Sequence, residues 1–411
     1  VPPLSGIRTG VERQQLDAIS QLLHEAPSNF TVHPKLARQF DQRAQMYASG
    51  EVDWALAEAL AMGTLVLDGV DVRMTGQDTR RGTFSQRHAV LVDYETGAEY
   101  VPLAAVANLP GASTVAPGKF MMYDSLLSEY AGLGFEYGYS VESTRALVAW
   151  EAQFGDFVNG AQVVIDNFIA AAGEKWGQHS ALVMLLPHGF EGQGPEHSSA
   201  RPERFLQLSA GDNMTVAQPT TAAQYFHLLR AQVHRSIRRP LVVLTPKSLL
   251  RARVARSSVD QLTDGRFEPV LDDDSAVAGG QLTPSEVTRI VLCSGKVAYD
   301  AIARRDASGA KRAIARVEQL HPWPESELLA LLGGYPNATE VVWLQEEPEN
   351  MGPWGYVHGR LHRLVRDKFS LVHVSRPESG SPATGSTTVH QLELKDLLDR
   401  SVGPLEEPAG G

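Results

Sequence analysis

Apolar positions along this chain change spacing several times, and each change marks an element. Near the start, Leu16, Ile19, Leu22 and Leu23 share one helix face, and the helix must stop before Pro27. An alanine-rich helix follows over Trp54 to Met62, then a strand and turn over Leu65 to Val72. Gly160 to Ala172 reads as a buried helix. Short continuous apolar runs at Ala181 to Leu186, Met214 to Ala217 and Leu241 to Leu244 read as buried strands. Thr220 or Thr221 caps the helix before the last of these. The alternation then repeats: strand Val287 to Cys293, helix Lys296 to Arg305, strand Ala313 to Val317, helix Glu325 to Leu332, strand Glu340 to Leu344. Such alternation predicts an α/β fold, with mainly parallel sheets flanked by helices. The expected division is a leading helical segment or linker over 1–50, a first α/β domain over 51–250, a linker over 251–284 and a second domain over 285–411. The linker is rich in Asp, Ser and Gly from residue 257 onward.

Composition narrows the function classes. The 411 residues carry a net charge of −11, with 43% hydrophobic and 21% charged residues, ordinary proportions for a globular protein. Phosphate neutralisation needs clustered cations, so nucleic acid is not expected as a partner. The local basic excess, Arg235, Arg238 and Arg239 with Arg251, Arg253 and Arg256, reads first as structural and second as an anion site. No apolar run approaches the roughly 20 residues of a membrane span, so no membrane partner is expected. The single cysteine, Cys293, cannot form an internal disulfide and sits in an apolar run as a buried, inert thiol; a reducing, cytoplasmic compartment suits it. Because residue 1 is valine, the chain is expected to begin inside a longer protein or after processing.

Candidate chemistry gathers in two glycine-punctuated loops. Pro187 to Arg201 follows a predicted strand and packs two histidines, two glutamates and an arginine among three glycines. Open parallel sheets place ligands just beyond the carboxyl ends of strands, which makes His188 and His197 candidates. Ser198 or Ser199 is expected to cap the next helix, leaving His197 at that helix's positive end. Gly76 to His88 carries Arg80, Arg81, Arg87 and His88, a density of donors suited to an anion. Metal-ligand spacing of the usual kinds is absent, so no metal site is assigned within the chain.

Seven segments then fall into one pattern: GQDTRRGTF-x-x-RHA from Gly76, LSEYAGLGFEYGYS from Leu127, WEAQFGDFVNGAQ from Trp150, LLPHGFEGQGPEHSSAR from Leu185, DNMTVAQPTT from Asp212, LTPKSLLR from Leu244 and QEEPENMG from Gln345. Together they resemble the first, thiamine-dependent decarboxylating component of 2-oxoglutarate dehydrogenase in its actinobacterial form, from about Thr9 to about Leu398. The resemblance implies a transketolase-like thiamine diphosphate-binding fold, made of a pyrimidine-binding domain and a transketolase-type C-terminal domain. It implies oxidative decarboxylation of 2-oxoglutarate with succinyl transfer to a lipoyl group; a relative acting on another long 2-oxo acid such as 2-oxoadipate, or a non-catalytic assembly subunit, are the alternatives.

Residue by residue, the resemblance makes Glu129 the carboxylate that meets the cofactor's aminopyrimidine, with Glu136 as the competing assignment. Phe154 and Phe157 become the rings that pack against the pyrimidine, and His197 and His188 the proton-moving residues. Arg80, Arg81, Arg87 and His88 would line the mouth used by substrate or lipoyl arm. One departure limits the carry-over. The family holds Mg²⁺ through a Gly-Asp-Gly motif, and the nearest string here is Gly211-Asp212-Asn213. The metal ligands are therefore expected outside this chain, in a missing diphosphate-binding half. A second copy forming a dimer with interfacial active sites and a dihydrolipoyl succinyltransferase component are the other implied partners, and the chain alone is expected to be inactive. A second departure is that Gln319-Leu320-His321-Pro322-Trp323-Pro324 is followed by Glu325-Ser326-Glu327 where basic residues would receive an acetyl-coenzyme A activator. Glutamates there would repel its phosphates.

Overall fold

The computed structural model describes residues 4–109, 116–276 and 280–405. Helix α1 (Arg13–His24) buries Leu16 and Ile19 and leads to α2 (Pro34–Ala48). Helix α3 (Trp54–Leu67) begins where the Asp53 carboxylate accepts the Leu56 amide at 2.9 Å. Nearly every position of α3 is buried, so its apolar run has no period that distinguishes helix from strand. The helix therefore continues through Leu65 to Leu67, and the expected strand starts later, as β1 (Asp71–Gly76).

The first sheet continues with β2 (Phe120–Asp124), helix α4 (Glu129–Glu142), β3 (Ala146–Glu151), β4 (Val183–Pro187), helix α5 (Pro202–Leu208), β5 (Thr215–Ala217), helix α6 (Ala222–His234) and β6 (Leu241–Thr245). Thr221 caps α6, accepting the Gln224 amide at 3.2 Å. The stretch read as one buried helix over Gly160 to Ala172 is broken instead. A 3₁₀ turn (Gly155–Ala161) runs into a short α segment and a π segment (Ile165–Ile169), with Val163 and Phe168 facing outward.

The expected linker is folded rather than loose. Helix α7 (Val259–Asp264) carries a Ser258–Gln261 capping box, Leu262 and Phe267 are fully buried, and buried Asp273 pairs with Arg305. A short strand β7 (Val270–Leu271) then edges the second sheet, which is built from β8 (Arg289–Cys293), helix α8 (Val297–Ser308), β9 (Arg312–Val317), helix α9 (Glu325–Gly333), β11 (Glu340–Pro348), helix α10 (Trp354–Val365), β12 (Ser370–Arg376) and helix α11 (Thr387–Ser401). Its order is β7-β9-β8-β11-β12, parallel except at β7. Between β9 and helix α9 the chain crosses over, and β10 (Gln319–His321) adds an antiparallel edge strand to the first sheet. That sheet reads β10-β5-β6-β4-β3-β1-β2, parallel elsewhere.

The crossover ties the two units together. Glu318, at the junction, is buried and accepts the Thr220 amide at 2.7 Å and its hydroxyl at 2.5 Å. One apolar core runs from Met184, Leu186 and Leu244 through Leu292 to Trp343, spanning both sheets. Most of the basic cluster is structural: Arg235 faces Asp212, Arg256 pairs with Glu51, and Arg251 donates to the carbonyls of Phe84 and Ser85. Cys293 is buried, and burial pushes its thiol up to about 12. Among the described residues no helix is long and apolar enough to cross a membrane.

Candidate active site

The candidate residues lie beyond the carboxyl ends of parallel strands, where every peptide ladder ends and loops are free to specialise. Gln77 follows β1, Leu126 to Glu129 follow β2, Phe154 to Phe157 follow β3, His188 to Arg201 follow β4 and Lys247 follows β6. Glu346 and Glu347, at the end of β11, reach the same region from the second sheet.

Glu129 opens helix α4, whose first turn is capped by Ser128 through the Ala131 amide at 3.2 Å. Its Oε1 accepts from Gln77 Nε2 at 2.8 Å, and the same Gln77 amide bridges to the Leu127 carbonyl at 2.9 Å. Its Oε2 looks across Gly160, where an added Cβ would stand 3.5 Å away. Glycine keeps that side of the carboxylate open. Beside it in the chain, Leu126, Leu127 and Tyr130 are exposed, with Leu126 at 80% and Leu127 at 81%. Glu136 has a different setting. It is buried and held in a two-point pair by Arg73, at 2.7 and 2.8 Å, with the guanidinium seated over Tyr139.

Phe154 is the centre of an aromatic group. Its ring meets His197 edge-on at 4.4 Å, Phe84 at 5.6 Å and Phe157 at 5.8 Å, while Phe157 lies 6.0 Å from His197. Gly155 makes this possible, since a Cβ there would fall 2.5 Å from the Pro187 carbonyl and from the Ala200 methyl. The structure thus brings Phe154, Phe157 and His197 together, and adds Phe84, which the sequence reading had not singled out.

The loop after β4 differs from its expected form at one point. Neither Ser198 nor Ser199 caps α5; the cap position is Arg201, in the left-handed region at φ 53°, and Pro202 starts the helix. His197 is therefore not at a helix N-terminus. Instead, Ser198 and Ser199 are buried, and their amides donate to Asp156 Oδ1 at 3.2 and 3.1 Å. Lys247 Nζ donates to the His197 carbonyl and to Gln193 Oε1, and burial lowers the lysine's proton affinity.

His188 is wholly enclosed. Its Nε2 lies 2.9 Å from Glu347 Oε1, and its Nδ1 accepts the Ala200 amide at 3.1 Å. Burial opposes charge on the ring, and the Glu347 carboxylate, with Glu346 behind it, more than offsets this and raises the pKa. A second proton would have to occupy Nδ1, where the Ala200 N–H already points, so the geometry favours the neutral ring protonated on Nε2. Glu346 itself is buried with neither carboxylate oxygen bonded, and desolvation pushes it up to about 7, against the pull of Lys296.

The residues assigned to a channel mouth do not form one group. Arg87 is buried and clasped by two carboxylates, Glu58 at 2.5 and 3.1 Å and Glu151 at 2.8 and 2.7 Å, so it joins α3 to β3 and cannot reach a ligand. His88, at φ 49°, turns toward α2 and lines a cavity with Phe40, Arg43 and Met122. Burial, then Arg43, lowers its pKa. Arg80 and Arg81 stay near the surface, the first paired with Glu99 at 2.5 Å and the second with Asp78.

Among the described residues no group of three or more His, Cys, Asp or Glu side chains is placed to hold a metal ion. What the site offers is a carboxylate with one open side next to a set of aromatic edges. That donor set fits a planar, hydrogen-bonding heterocycle.

Comparison with known proteins agrees with this chemistry. Residues 50–253 match the transketolase, pyrimidine binding domain, and residues 256–402 match the 2-oxoglutarate dehydrogenase C-terminal domain. The chain is 46% identical over 400 residues to a multifunctional 2-oxoglutarate metabolism enzyme of Mycobacterium sp. (strain JLS), covering 97% of this chain and 32% of that protein. It is 46% identical over 398 residues to the 2-oxoglutarate dehydrogenase E1/E2 component of Corynebacterium glutamicum, covering 96% of this chain and 32% of that protein. The chain thus spans about a third of the length of these curated relatives. With both domains matched in order along the chain, it belongs to the 2-oxoglutarate dehydrogenase family.

Proposed function

We propose that this chain supplies the pyrimidine-binding and C-terminal domains of a thiamine diphosphate-dependent enzyme that decarboxylates 2-oxoglutarate and passes the succinyl group to a lipoyl arm. The observation that carries the proposal is the placement of the half-open Glu129 carboxylate, steadied by Gln77, beside the turn that bears Phe154 and Phe157. When bound, thiamine diphosphate supplies the nucleophilic carbon and the electron sink for decarboxylation. Glu129 holds the aminopyrimidine by hydrogen bond and shares its proton. Phe154 and Phe157 exclude water from one side of the ring. His197, with its ring edge against Phe154, moves protons at the reacting carbon or donates to a developing oxyanion. His188 is enclosed, so its part is to support the loop rather than to meet substrate.

The apolar surface around Glu129 is the face on which the rest of the enzyme closes. Diphosphate and Mg²⁺ ligands come from the missing half, and a second copy completes a dimer with sites between subunits. The E1/E2 description of the Corynebacterium glutamicum relative supports a dihydrolipoyl succinyltransferase component as a further partner, and the single, buried cysteine suits a reducing, cytoplasmic setting. Arg80 and Arg81, the two channel candidates nearest the surface, would meet an anionic substrate or the lipoyl-bearing partner by exchanging their pairs with Glu99 and Asp78.

Proton exchange at C2 of thiamine diphosphate in the complete enzyme tests this reading. Glu129→Gln keeps the shape and removes the shared proton, so exchange slows by at least about a hundredfold, the scale of one acid–base contribution. Normal exchange in Glu129→Gln with slow exchange in Glu136→Gln would transfer the role to Glu136.

A further inference from the structure

Three successive amides behind His197 are each given to a side chain. Asp156 Oδ1 accepts those of Ser198 and Ser199, at 3.2 and 3.1 Å, and His188 Nδ1 accepts that of Ala200 at 3.1 Å. On the other flank, Lys247 holds the His197 carbonyl. The backbone that aims the His197 ring at Phe154 is thus pinned on both sides, and one of the pins originates in the other domain. His188 can accept at Nδ1 only while its ring proton resides on Nε2, and the acceptor for that proton is Glu347 Oε1 at 2.9 Å, at the end of β11. A histidine's tautomer is set by the partner on its far nitrogen.

We infer that Glu347 is a positioning residue for the loop that carries His197: it fixes His188 as the Nε2–H tautomer, keeps Nδ1 open to the Ala200 amide, and so lets the C-terminal domain hold His197 in place. Neighbouring contacts follow the same route, since Glu203 at the start of α5 accepts the Gly352 amide at 2.9 Å and Arg201 reaches Met351 Sδ at 3.7 Å. The C-terminal domain thus also holds the end of the loop and the start of α5. For activity, the inference rests on the reading of His197 given above; for the loop's geometry it does not.

Two measurements on the 411-residue chain and one on the complete enzyme test it. Imidazole ¹⁵N spectra of the wild-type chain at pH 7 are expected to show His188 as the neutral Nε2–H form; an Nδ1–H or cationic ring would overturn the inference without any variant. In Glu347→Ala, His188 is expected to lose that single tautomer and the Ala200 amide to exchange with solvent about tenfold faster, the scale of one net hydrogen bond. Glu347→Gln, whose carbonyl still accepts from Nε2–H, restores both. Unchanged tautomer and exchange in Glu347→Ala would also overturn it. In the complete enzyme, Glu347→Ala lowers kcat about tenfold or more with little change in KM, and Gln recovers most of the loss. Should the loop signals move as expected while Glu347→Ala and His197→Ala both turn over at the wild-type rate, the positioning stands and the role of His197 falls.

Discussion

Helix α4 carries two glutamates in opposite conditions. Glu136 is buried, bonded at both oxygens to Arg73, and its cation is in turn covered by Tyr139, Tyr123 and Phe135. Among the described residues Glu129 has one side-chain hydrogen-bond partner, Gln77, and its neighbours Leu126, Leu127 and Tyr130 are exposed. A charge that the fold itself needs is paired at every oxygen. A charge that is half paired beside an exposed apolar face is one whose remaining partner comes from elsewhere. The contrast, more than the position of either residue in a motif, supports a structural role for Glu136 and the cofactor role proposed for Glu129.

Stability measurements attack this contrast directly. Glu136→Ala strands the Arg73 guanidinium, whose side chain is only 13% exposed, and should cost about 3 kcal/mol or more in urea unfolding. Glu129→Ala should stay within about 0.5 kcal/mol, as surface changes do. Equal losses at both positions would erase the distinction.

Glu346 sharpens the comparison, being buried like Glu136 and unpaired beyond anything seen at Glu129. Desolvation is the main reason its pKa rises from the ordinary 4.5 to about 7; Lys296 and His188 oppose the rise, and Glu347 and Asp300 add to it. The sign follows from linkage. The folded state binds this proton more tightly, so the stabilisation is complete below pH 4.5, declines as the pH climbs toward 7 and is gone above it. Glu346→Gln cannot ionise, so at pH 8 it should exceed the parent by about 1–3 kcal/mol, with the gap closing near pH 5. Buried Glu318, also pushed up to about 7 by desolvation, gives the same slope in both proteins, so their difference isolates Glu346. Parallel urea curves at the two pH values check it.

Much of the architecture was legible because parallel strands buried on both faces leave continuous apolar runs, as at Val183–Pro187 and Leu241–Thr245. The same continuity misled at Leu65 to Leu67, where a helix buried all round has no polar stripe to betray it. Glu129, Phe154, Phe157 and His197 are candidates that long motifs single out, and the structure brings the last three together. Arg87 was misread because its partners, Glu58 and Glu151, are 29 and 64 residues away, and nothing local marks a buried ion pair. His188 and Glu347 are 159 residues apart, in different domains, so neither spacing nor periodicity could join them. The false cap at Ser198 or Ser199 had a readable warning: Pro202 suits the first turn of a helix and places the boundary after the serines.

The smallest effect on stability, and the last test of the contrast, lies in the uncovered face beside Glu129. Leu126 and Leu127 contribute almost nothing to the core at 80% and 81% exposure, so changing both to serine should leave urea unfolding within about 0.5 kcal/mol of the parent. Association should respond differently. A leucine that becomes covered is worth about 1.5–3 kcal/mol, so removing both should weaken any assembly that closes over this face by well over tenfold. Sedimentation of the parent chain is expected to show self-association through this surface, and Leu126→Ser with Leu127→Ser to shift it to monomer. An unchanged assembly would mean that the exposed leucines cover nothing, and that the open side of Glu129 faces solvent rather than a partner.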